Sequence, residues 1–483
     1  MKYGNLNERQ AGILMPVASL PNPYGIGDFG KETYQFIDIC KQFGFKIWQI
    51  LPLNPLGFGS SPYQPFSSFA FDELYISLDL LCEADLIDPV DCFHFDKEFI
   101  DYEAIRSYKE PYLRKAYQKF KKNAEYQQFL KRAFWLEEYS EFICLKQLNH
   151  NRIWLEWEDH LANDVLEQQK EYIKFLQYIL YTQWMKVKEY ANQNGIHIMG
   201  DIPFYVGLDS ADVYFNRESF LLNKKGYPTS VAGVPPDYFS KYGQLWGNPI
   251  YDFEYLKEND FEFWVQRIKW NQDLYDSIRI DHFRAFDTYW KIPANETTAI
   301  NGEWVLGPGY DLFDCLFEKC PDVRLIAEDL GDLRKEVLEL RDHYQLLGMR
   351  IIQYSFGRLE ESENFYIAPY CIAYTGTHDN DPVKGWYRTL DKNEQRRIRH
   401  ILKSFHYYDA KTMPEKVLYR TLDCNALIAM VQVQDILLFD ETTRINHPGT
   451  IGFPNWCWRL SSYQALKKQI KKINQWLLNT NRI

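Results

Sequence analysis

Eight short runs rich in isoleucine, valine and aromatic residues recur along the 483-residue chain, and they constrain its fold more than any other feature. Short apolar runs of this kind are typical of parallel strands that are buried on both faces. Segments with helical periodicity separate most of them. Eight such repeats predict an α/β fold, a (β/α)8 TIM barrel with functional side chains at the carboxyl ends of its strands. The runs occupy residues 12–18, 45–53, 197–205, 277–283, 324–330, 349–354, 371–377 and 430–436.

The uneven spacing of the runs indicates where the barrel carries extra structure. About 140 residues separate the second run from the third, several times the length of one crossover connection. We predict one barrel domain over residues 1–483, with a large, mainly helical insertion subdomain at 54–175 between strands 2 and 3. Further loop insertions at the functional site are predicted at 205–275 and 284–323. Within the first of these, residues 209–251 are dense in Gly, Pro and aromatic residues, and we expect an irregular loop there.

Composition and charge exclude several classes of protein. With 55 Lys+Arg against 66 Asp+Glu, the net charge of −11 argues against nucleic acid or an anionic membrane as a partner. We find no apolar stretch of about 18 residues and no signal-peptide pattern, so we expect a soluble protein. The 9 cysteines are scattered without a CxxC pair, which favours free thiols in the cytoplasm over disulfides or a zinc site.

The aromatic content gives a weak indication of a ligand class. The chain has 14 Trp, 35 Tyr and 32 Phe. Aromatic rings stack on the apolar faces of sugars, while their hydroxyl and N–H groups remain available for hydrogen bonds. A core that is merely rich in tyrosine explains the same count, so composition alone does not decide between these readings.

Charged residues cluster where several of the predicted strands end. Asp201 closes the third run, and Glu328 ends the fifth after three apolar residues, a setting that can raise a carboxyl pKa. On the fourth run, the two-residue period of a strand puts Arg279 and Asp281 on one face. Such an arginine keeps a carboxylate ionised, as a nucleophile requires. The seventh run ends with His378 and Asp379.

These clusters favour a carboxylate-based reaction over a structural explanation. A retaining glycosidase needs an ionised carboxylate and a protonated acid roughly 5–5.5 Å apart. Asp281 and Glu328 follow neighbouring strands of the predicted barrel and can meet that requirement. Taken singly, each acidic residue is better explained as a helix cap or a surface ion pair. Four clusters at the same end of one barrel reverse that preference.

Longer motifs accompany these clusters, and together they carry a family resemblance. The chain contains Ser60-Ser61-Pro62-Tyr63-Gln64 and the run Val231-Ala232-Gly233-Val234-Pro235-Pro236-Asp237-Tyr238-Phe239. It also contains Gly243-Gln244-Leu245-Trp246-Gly247-Asn248-Pro249 and Arg444-Ile445-Asn446-His447-Pro448-Gly449-Thr450. With the four charged clusters, these motifs resemble those of the amylomaltases, or 4-α-glucanotransferases, of the α-amylase clan. The resemblance extends from about residue 10 to 460.

The resemblance implies an activity and a set of residue roles. It implies transfer of an α-1,4-glucan segment to the 4-hydroxyl of glucose or a maltooligosaccharide, without cofactor or metal. Asp281 is implied as the nucleophile, Glu328 as the general acid/base and Asp379 as the residue that grips the hydroxyls of the distorted sugar. The substrate-binding residues that it implies are Ser61, Tyr63, Asp201, Trp246, Arg279, His378 and Asn455. The loop 233–239 is implied to cover the donor chain. We expect the aromatic loops around Trp246 and Tyr238 to exclude water.

Two alternatives stay open at this point. An α-amylase-like retaining hydrolase would use the same three carboxylates, and a non-catalytic glucan-binding protein could keep the barrel. We expect His282 to be a satisfied supporting residue and not an acid or base. Donor and acceptor lengths, cyclic products, the transfer-to-hydrolysis ratio, the pathway and the oligomeric state do not follow from the sequence.

Overall fold

The core of the fold is a closed barrel of eight parallel strands. A computed structural model describes residues 8–91, 95–158, 164–236, 240–356, 367–407 and 409–483. Its strands are β1 (Gln10–Leu14), β2 (Ile47–Gln49), β3 (His197–Ile202), β4 (Ser230–Val234), β5 (Gln244–Pro249), β6 (Ser277–Ile280), β7 (Thr288–Pro293), β8 (Glu303–Leu306), β9 (Leu325–Ala327), β10 (Gly348–Ile351), β11 (Cys371–Tyr374) and β12 (Ile428–Gln432).

The eight predicted runs correspond one to one to the barrel strands, which confirms the predicted fold class. The large sheet has the order β10-β11-β12-β1-β2-β3-β6-β9, and all of its neighbours are parallel. A parallel bridge between Ile326 and Leu347 joins the two ends of this order. The strands are shorter than the apolar runs, so the last residues of each run lie beyond the ladder, at the carboxyl rim.

Helices surround the barrel and build the long interval between β2 and β3. They are α1 (Lys31–Phe43), α2 (Leu78–Glu83), α3 (Tyr102–Lys119), α4 (Ala124–Arg132), α5 (Leu136–Leu148), α6 (Asp164–Gln193), α7 (Ala211–Phe215), α8 (Phe253–Glu258), α9 (Glu262–Leu274), α10 (Gly309–Lys319), α11 (Lys335–His343), α12 (Val383–Thr389), α13 (Lys392–Lys403), α14 (Met413–Asp423), α15 (Val433–Ile436), α16 (Gln464–Lys467) and α17 (Ile470–Asn479). Helix α6 crosses residue 175, the predicted end of the insertion, and leads into β3. The domain boundaries themselves stay a prediction.

A second, antiparallel sheet lies outside the barrel ladder. Its order is β5-β4-β7-β8, and β4 pairs with both β5 and β7. The expectation of an irregular loop over 209–251 is therefore wrong in part, since α7, β4 and β5 fall within it. Strand β4 pairs with β7, which begins about 55 residues later in the chain. Pairing between such distant segments produces no periodic pattern in the local sequence.

Gly200 shows why the third strand needs a glycine next to its functional carboxylate. A Cβ placed on Gly200 would lie 2.1 Å from the ring of Tyr275, which is buried against the strand. Because Gly200 has no side chain, Tyr275 packs directly on the backbone of β3, and no larger residue fits at this position. The neighbouring Asp201, paired in register with Arg279 of β6, is thereby fixed at the rim of the barrel.

Three further observations concern possible ligands and partners. Among the described residues, no helix has both the length and the apolar character that a membrane crossing requires. Within the same residues, no group of three or more His, Cys, Asp or Glu side chains is arranged to hold a metal ion. The eight cysteines in the described ranges are free thiols.

Candidate active site

A cleft of about 790 Å³ opens at the carboxyl ends of the barrel strands. Its walls come from four segments that are far apart in sequence: 58–64, 203–205, 240–248 and 444–456. Asp281, His282, His378 and Asp379 also line it. The barrel thus brings together the rim of β6, the rim of β11 and two loops that carry family motifs.

Arg279 links two of the predicted carboxylates. Its Nη1 donates to both carboxylate oxygens of Asp201, each at 2.7 Å, and its Nη2 donates to Asp281 Oδ1 at 2.9 Å. Arg279 is only 3% exposed, whereas the Asp281 side chain keeps 31% of its surface exposed to the cleft. Burial alone would lower the pKa of Arg279, but Asp201 and Asp281 raise it well above its usual value. A permanent positive charge therefore lies against one oxygen of Asp281.

Glu328 lies at the end of β9, the barrel neighbour of β6. Its Oε2 accepts the backbone N–H of His282 at 2.8 Å, and its Oε1 accepts that of Leu330 at 3.2 Å. Burial raises the pKa of Glu328 well above its usual value; Arg279 acts in the opposite sense, and the charge of Asp281 raises the pKa further. Ile280 and Ala327 pair directly, so the residues after them, Asp281 and Glu328, leave adjacent strand ends, as predicted.

Asp379 is held by a loop from another part of the chain. Asn446 Nδ2 donates to Asp379 Oδ1 at 2.6 Å, and Arg444 donates to the Asp379 carbonyl. His378 Nε2 lies 3.4 Å from Asp379 Oδ2. The sequence prediction gave no role to Asn446 or Arg444, although both belong to the family motif at 444–450. That motif was the one signal available, because nothing in the local pattern places them beside Asp379.

Tyr63 connects the loop 58–64 to the carboxylate of Asp201. Its hydroxyl donates to Asp201 Oδ2 at 2.7 Å, and its ring stacks on His378 at a centroid distance of 5.2 Å. Trp456 lies against the same ring at 5.6 Å. Ser61 Oγ accepts the backbone N–H of Tyr63 at 3.2 Å and so fixes the turn that aims the ring. Ser61 and Tyr63, the two predicted substrate-binding residues of this loop, line the cleft.

Trp246 lies on β5, on the side of the cleft next to His282. The two rings meet edge to face, with centroids 4.9 Å apart and an interplanar angle of 85°. Gln64 Nε2 donates to the Trp246 carbonyl at 2.9 Å, which ties the loop bearing Tyr63 to this strand. The predicted donor-covering loop 233–239 is described only up to residue 236, and Tyr238 lies outside the described residues.

Asn455 does not line the cleft, and neither do the predicted site residues Asp201, Arg279 and Glu328, which lie behind its surface. Asn455 is 3% exposed, and its amide is used within its own loop: Nδ2 donates to Thr450 Oγ1 at 2.9 Å, and Oδ1 accepts the N–H of His447 at 2.8 Å. The next residue, Trp456, lines the cleft instead. The contact between Asn455 and substrate stays a prediction. In the structure its side chain stabilises the loop 447–455 through these hydrogen bonds.

Comparisons with known proteins extend over nearly the whole chain. A family model described as 4-alpha-glucanotransferase matches residues 15–465. The 4-alpha-glucanotransferase of Clostridium butyricum is 42% identical over 468 residues, covering 92% of this chain and 95% of the relative. That of Streptococcus pneumoniae (strain TIGR4) is 39% identical over 480 residues, covering 95% and 94%. Amylomaltase from Streptococcus agalactiae in complex with acarbose has a TM-score of 0.92 at 34% identity, covering 98% of this chain and 100% of that chain.

Proposed function

The chain belongs to the 4-alpha-glucanotransferase family, and on this premise we propose that it transfers glucan segments by a retaining double displacement at Asp281 and Glu328. Membership of the family and the transferase activity agree with the resemblance to amylomaltases found in the sequence. The roles of individual residues are our proposal. The observation that carries it is the contrast between an arginine-paired Asp281 and an enclosed Glu328 at adjacent strand ends.

In the first step, Asp281 attacks the anomeric carbon of the donor glucan. The bond between that carbon and the glycosidic oxygen breaks, and Glu328 gives its proton to the departing oxygen. The non-reducing part of the donor remains as a glucosyl ester on Asp281. The pair with Arg279 supports the nucleophile role because it holds the Asp281 carboxylate in place. The raised pKa supports the acid role of Glu328, which must start the step protonated.

In the second step, Glu328 removes the proton from the 4-hydroxyl of an acceptor. That oxygen attacks the anomeric carbon, the ester to Asp281 breaks, and a new α-1,4 bond forms with the original configuration. Maltooligosaccharides and glucose are the acceptors that we propose. Transfer exceeds hydrolysis if the acceptor binds well and water is kept from the ester. The aromatic wall at Trp246 supports this second condition.

We assign Asp379 to the hydroxyls of the sugar that reacts. Asn446 donates a hydrogen bond to Oδ1 of the Asp379 side chain, and Arg444 donates one to the Asp379 backbone carbonyl. The other carboxylate oxygen, Oδ2, lies near His378 and is the one that we assign to the sugar. A carboxylate held this way can strengthen its hydrogen bonds as charge develops on the sugar ring. Asp201 and Tyr63 support binding of the same sugar through their mutual hydrogen bond.

The cleft is proposed to bind maltooligosaccharides along its aromatic walls. The relative from Streptococcus agalactiae was solved in complex with acarbose. By analogy, acarbose is expected to compete with the donor for this cleft. Location in the cytoplasm stays a prediction, and the free thiols of the described cysteines agree with a reducing compartment.

Trapping the glucosyl ester tests the mechanism. In Glu328→Gln, a maltosyl fluoride donor needs no proton to leave, whereas the ester lacks a base for its breakdown, so we expect the ester to accumulate. Peptide mass spectrometry should find the maltosyl group on Asp281. The matched control is the double variant Glu328→Gln/Asp281→Asn, which should carry no adduct. A maltosyl group on any other residue, or inverted product from the wild type, would contradict the proposal.

A further inference from the structure

His282 adopts a left-handed backbone conformation, which is uncommon for residues other than glycine. Its φ is 50°, in the left-handed region, where residues other than glycine are rare and asparagine is among the better tolerated. The conformation turns the chain directly after Asp281 and sends the His282 N–H to Glu328 Oε2 at 2.8 Å. Left-handed residues of this kind concentrate at functional sites. The position of His282 therefore calls for an explanation beyond packing.

The imidazole of His282 has unused hydrogen-bonding capacity. Neither ring nitrogen has a partner among the described residues, and Nε2 is enclosed. This overturns the expectation that His282 is a satisfied supporting residue. The side chain nonetheless lines the cleft. Burial lowers the pKa of His282 to about 4, so at neutral pH the ring offers one N–H donor and one acceptor nitrogen.

The contacts of His282 distinguish it from the residues assigned to the donor sugar. Tyr63, Asp201 and His378 contact one another and reach Asp281 through Arg279. His282 instead contacts Glu328 through its backbone and Trp246 through its ring. Glu328 is the group that meets the departing oxygen and then the incoming one. A sugar whose 4-hydroxyl meets Glu328 therefore lies next to His282.

We propose that the His282 imidazole hydrogen-bonds a hydroxyl of the acceptor sugar while Trp246 supplies the apolar wall beside it. This assignment rests on the proposed function, since it takes Glu328 as the base of the second step. His282 acts here as an acceptor-binding residue and takes no proton from the substrate. A bound acceptor at this position also occupies the space from which water would attack the ester.

Two variants that tolerate the left-handed backbone test this role. His282→Gly removes the ring, and His282→Asn keeps an amide close to the position of Nδ1. With maltosyl fluoride as donor, fluoride release before acceptor addition reports the first step, and its acceleration by glucose or maltose reports the second. We expect His282→Gly to keep the first step within about twofold and to raise the acceptor KM about tenfold, the effect of one lost hydrogen bond. His282→Asn should recover most of that loss.

The remaining outcomes separate this inference from the mechanism it rests on. An acceptor KM equal to that of the wild type in both variants would overturn the role of His282. So would a fall in the second-step rate at saturating acceptor without a rise in the acceptor KM in His282→Gly, because that result would show that the residue only holds Glu328 as the base. Loss of the first step would also overturn it, because fluoride leaves without a proton from Glu328 and the variant would then have damaged the donor site. If wild-type enzyme releases fluoride without acceleration by any acceptor, the double displacement itself fails, whatever the variants do.

Discussion

Asp281 and Glu328 are chemically similar side chains that the fold holds in different surroundings. Asp281 is partly exposed and takes an N–H from Arg279, whereas Glu328 is enclosed and takes two backbone N–H groups. Burial and the nearby Asp281 raise the pKa of Glu328, although Arg279 opposes them. Two carboxyl groups in such unequal surroundings are suited to unequal roles, and we propose Asp281 as the nucleophile and Glu328 as the acid.

The pH dependence of the first step follows from the raised pKa of Glu328. Only its protonated form can donate, so kcat/KM for maltotriose should fall as the pH rises through the pKa of Glu328 in the folded enzyme. Maltosyl fluoride needs no proton, so its rate of fluoride release should lack that basic limb. Both donors are measured over the same pH series. An identical basic limb for both donors would exclude Glu328 as the acid.

The nucleophile assignment leads to a separate expectation at Asp281. Asp281→Asn removes the attacking oxygen's charge but leaves the shape of the cleft, so transfer should fall by at least about 10³-fold while maltooligosaccharides still bind. Product analysis and isothermal titration calorimetry measure the two effects. The matched control is Asp287→Asn, a carboxylate that follows the same strand but accepts from Thr288. Activity of Asp281→Asn at the level of this control would refute the assignment.

Asn446 is a residue whose importance became visible only in the structure. It holds Asp379 Oδ1 at 2.6 Å, and loss of a hydrogen bond to a charged group is expected to reduce kcat/KM by about ten- to a hundredfold in Asn446→Ala. Asn446→Asp should lose more, because it adds a like charge beside Asp379. Steady-state kinetics on maltotriose check both variants. Wild-type kinetics in Asn446→Asp would show that Asp379 needs no such support.

At the scale of elements, the sequence revealed those features that local pattern controls. The barrel strands could be predicted because each is buried on both faces and gives an apolar run in the sequence. Asp281 and Glu328 could be placed because they lie toward the carboxyl ends of such runs. The antiparallel pairing of β4 with β7 could not be predicted, since the two strands lie far apart in the sequence. For the same reason Asn446 could not be placed next to Asp379, 67 residues earlier in the chain.

The joint between β9 and β10 gives a prediction about stability. Few ladder contacts close the barrel there, and Asp329, 1% exposed, reinforces the joint by accepting the N–H of Met349 at 2.6 Å and pairing with Arg341. Asp329→Ala leaves buried charge unpaired and should lower the free energy of unfolding by about 3 kcal/mol, measured by urea denaturation.

Arg350 provides the control for this joint. It also approaches Asp329, at 3.4 Å, but its side chain is 40% exposed. Because exposed ion pairs contribute little, Arg350→Met should lower the free energy of unfolding by less than about 1 kcal/mol. Equal losses in Asp329→Ala and Arg350→Met would mean that the buried carboxylate has no special part in closing the barrel.

At the scale of the whole molecule, the closed barrel is what turns scattered motifs into one site. Residues 61, 201, 281, 328 and 379 come from five segments, and parallel closure brings the barrel strands that precede or carry them to one rim. The family match across residues 15–465 accords with this, because the barrel and the loops over it form one continuous unit of similarity.

Product analysis with maltotriose as the sole substrate distinguishes glucan transfer from hydrolysis. Free glucose, total reducing ends and chain lengths are followed over time. Because each transfer makes one bond for each bond broken, we expect glucose and a ladder of longer maltooligosaccharides to appear while the total of reducing ends stays constant. Reducing ends that rise in step with the bonds broken, without longer chains, would show that the protein is a hydrolase and not a transferase.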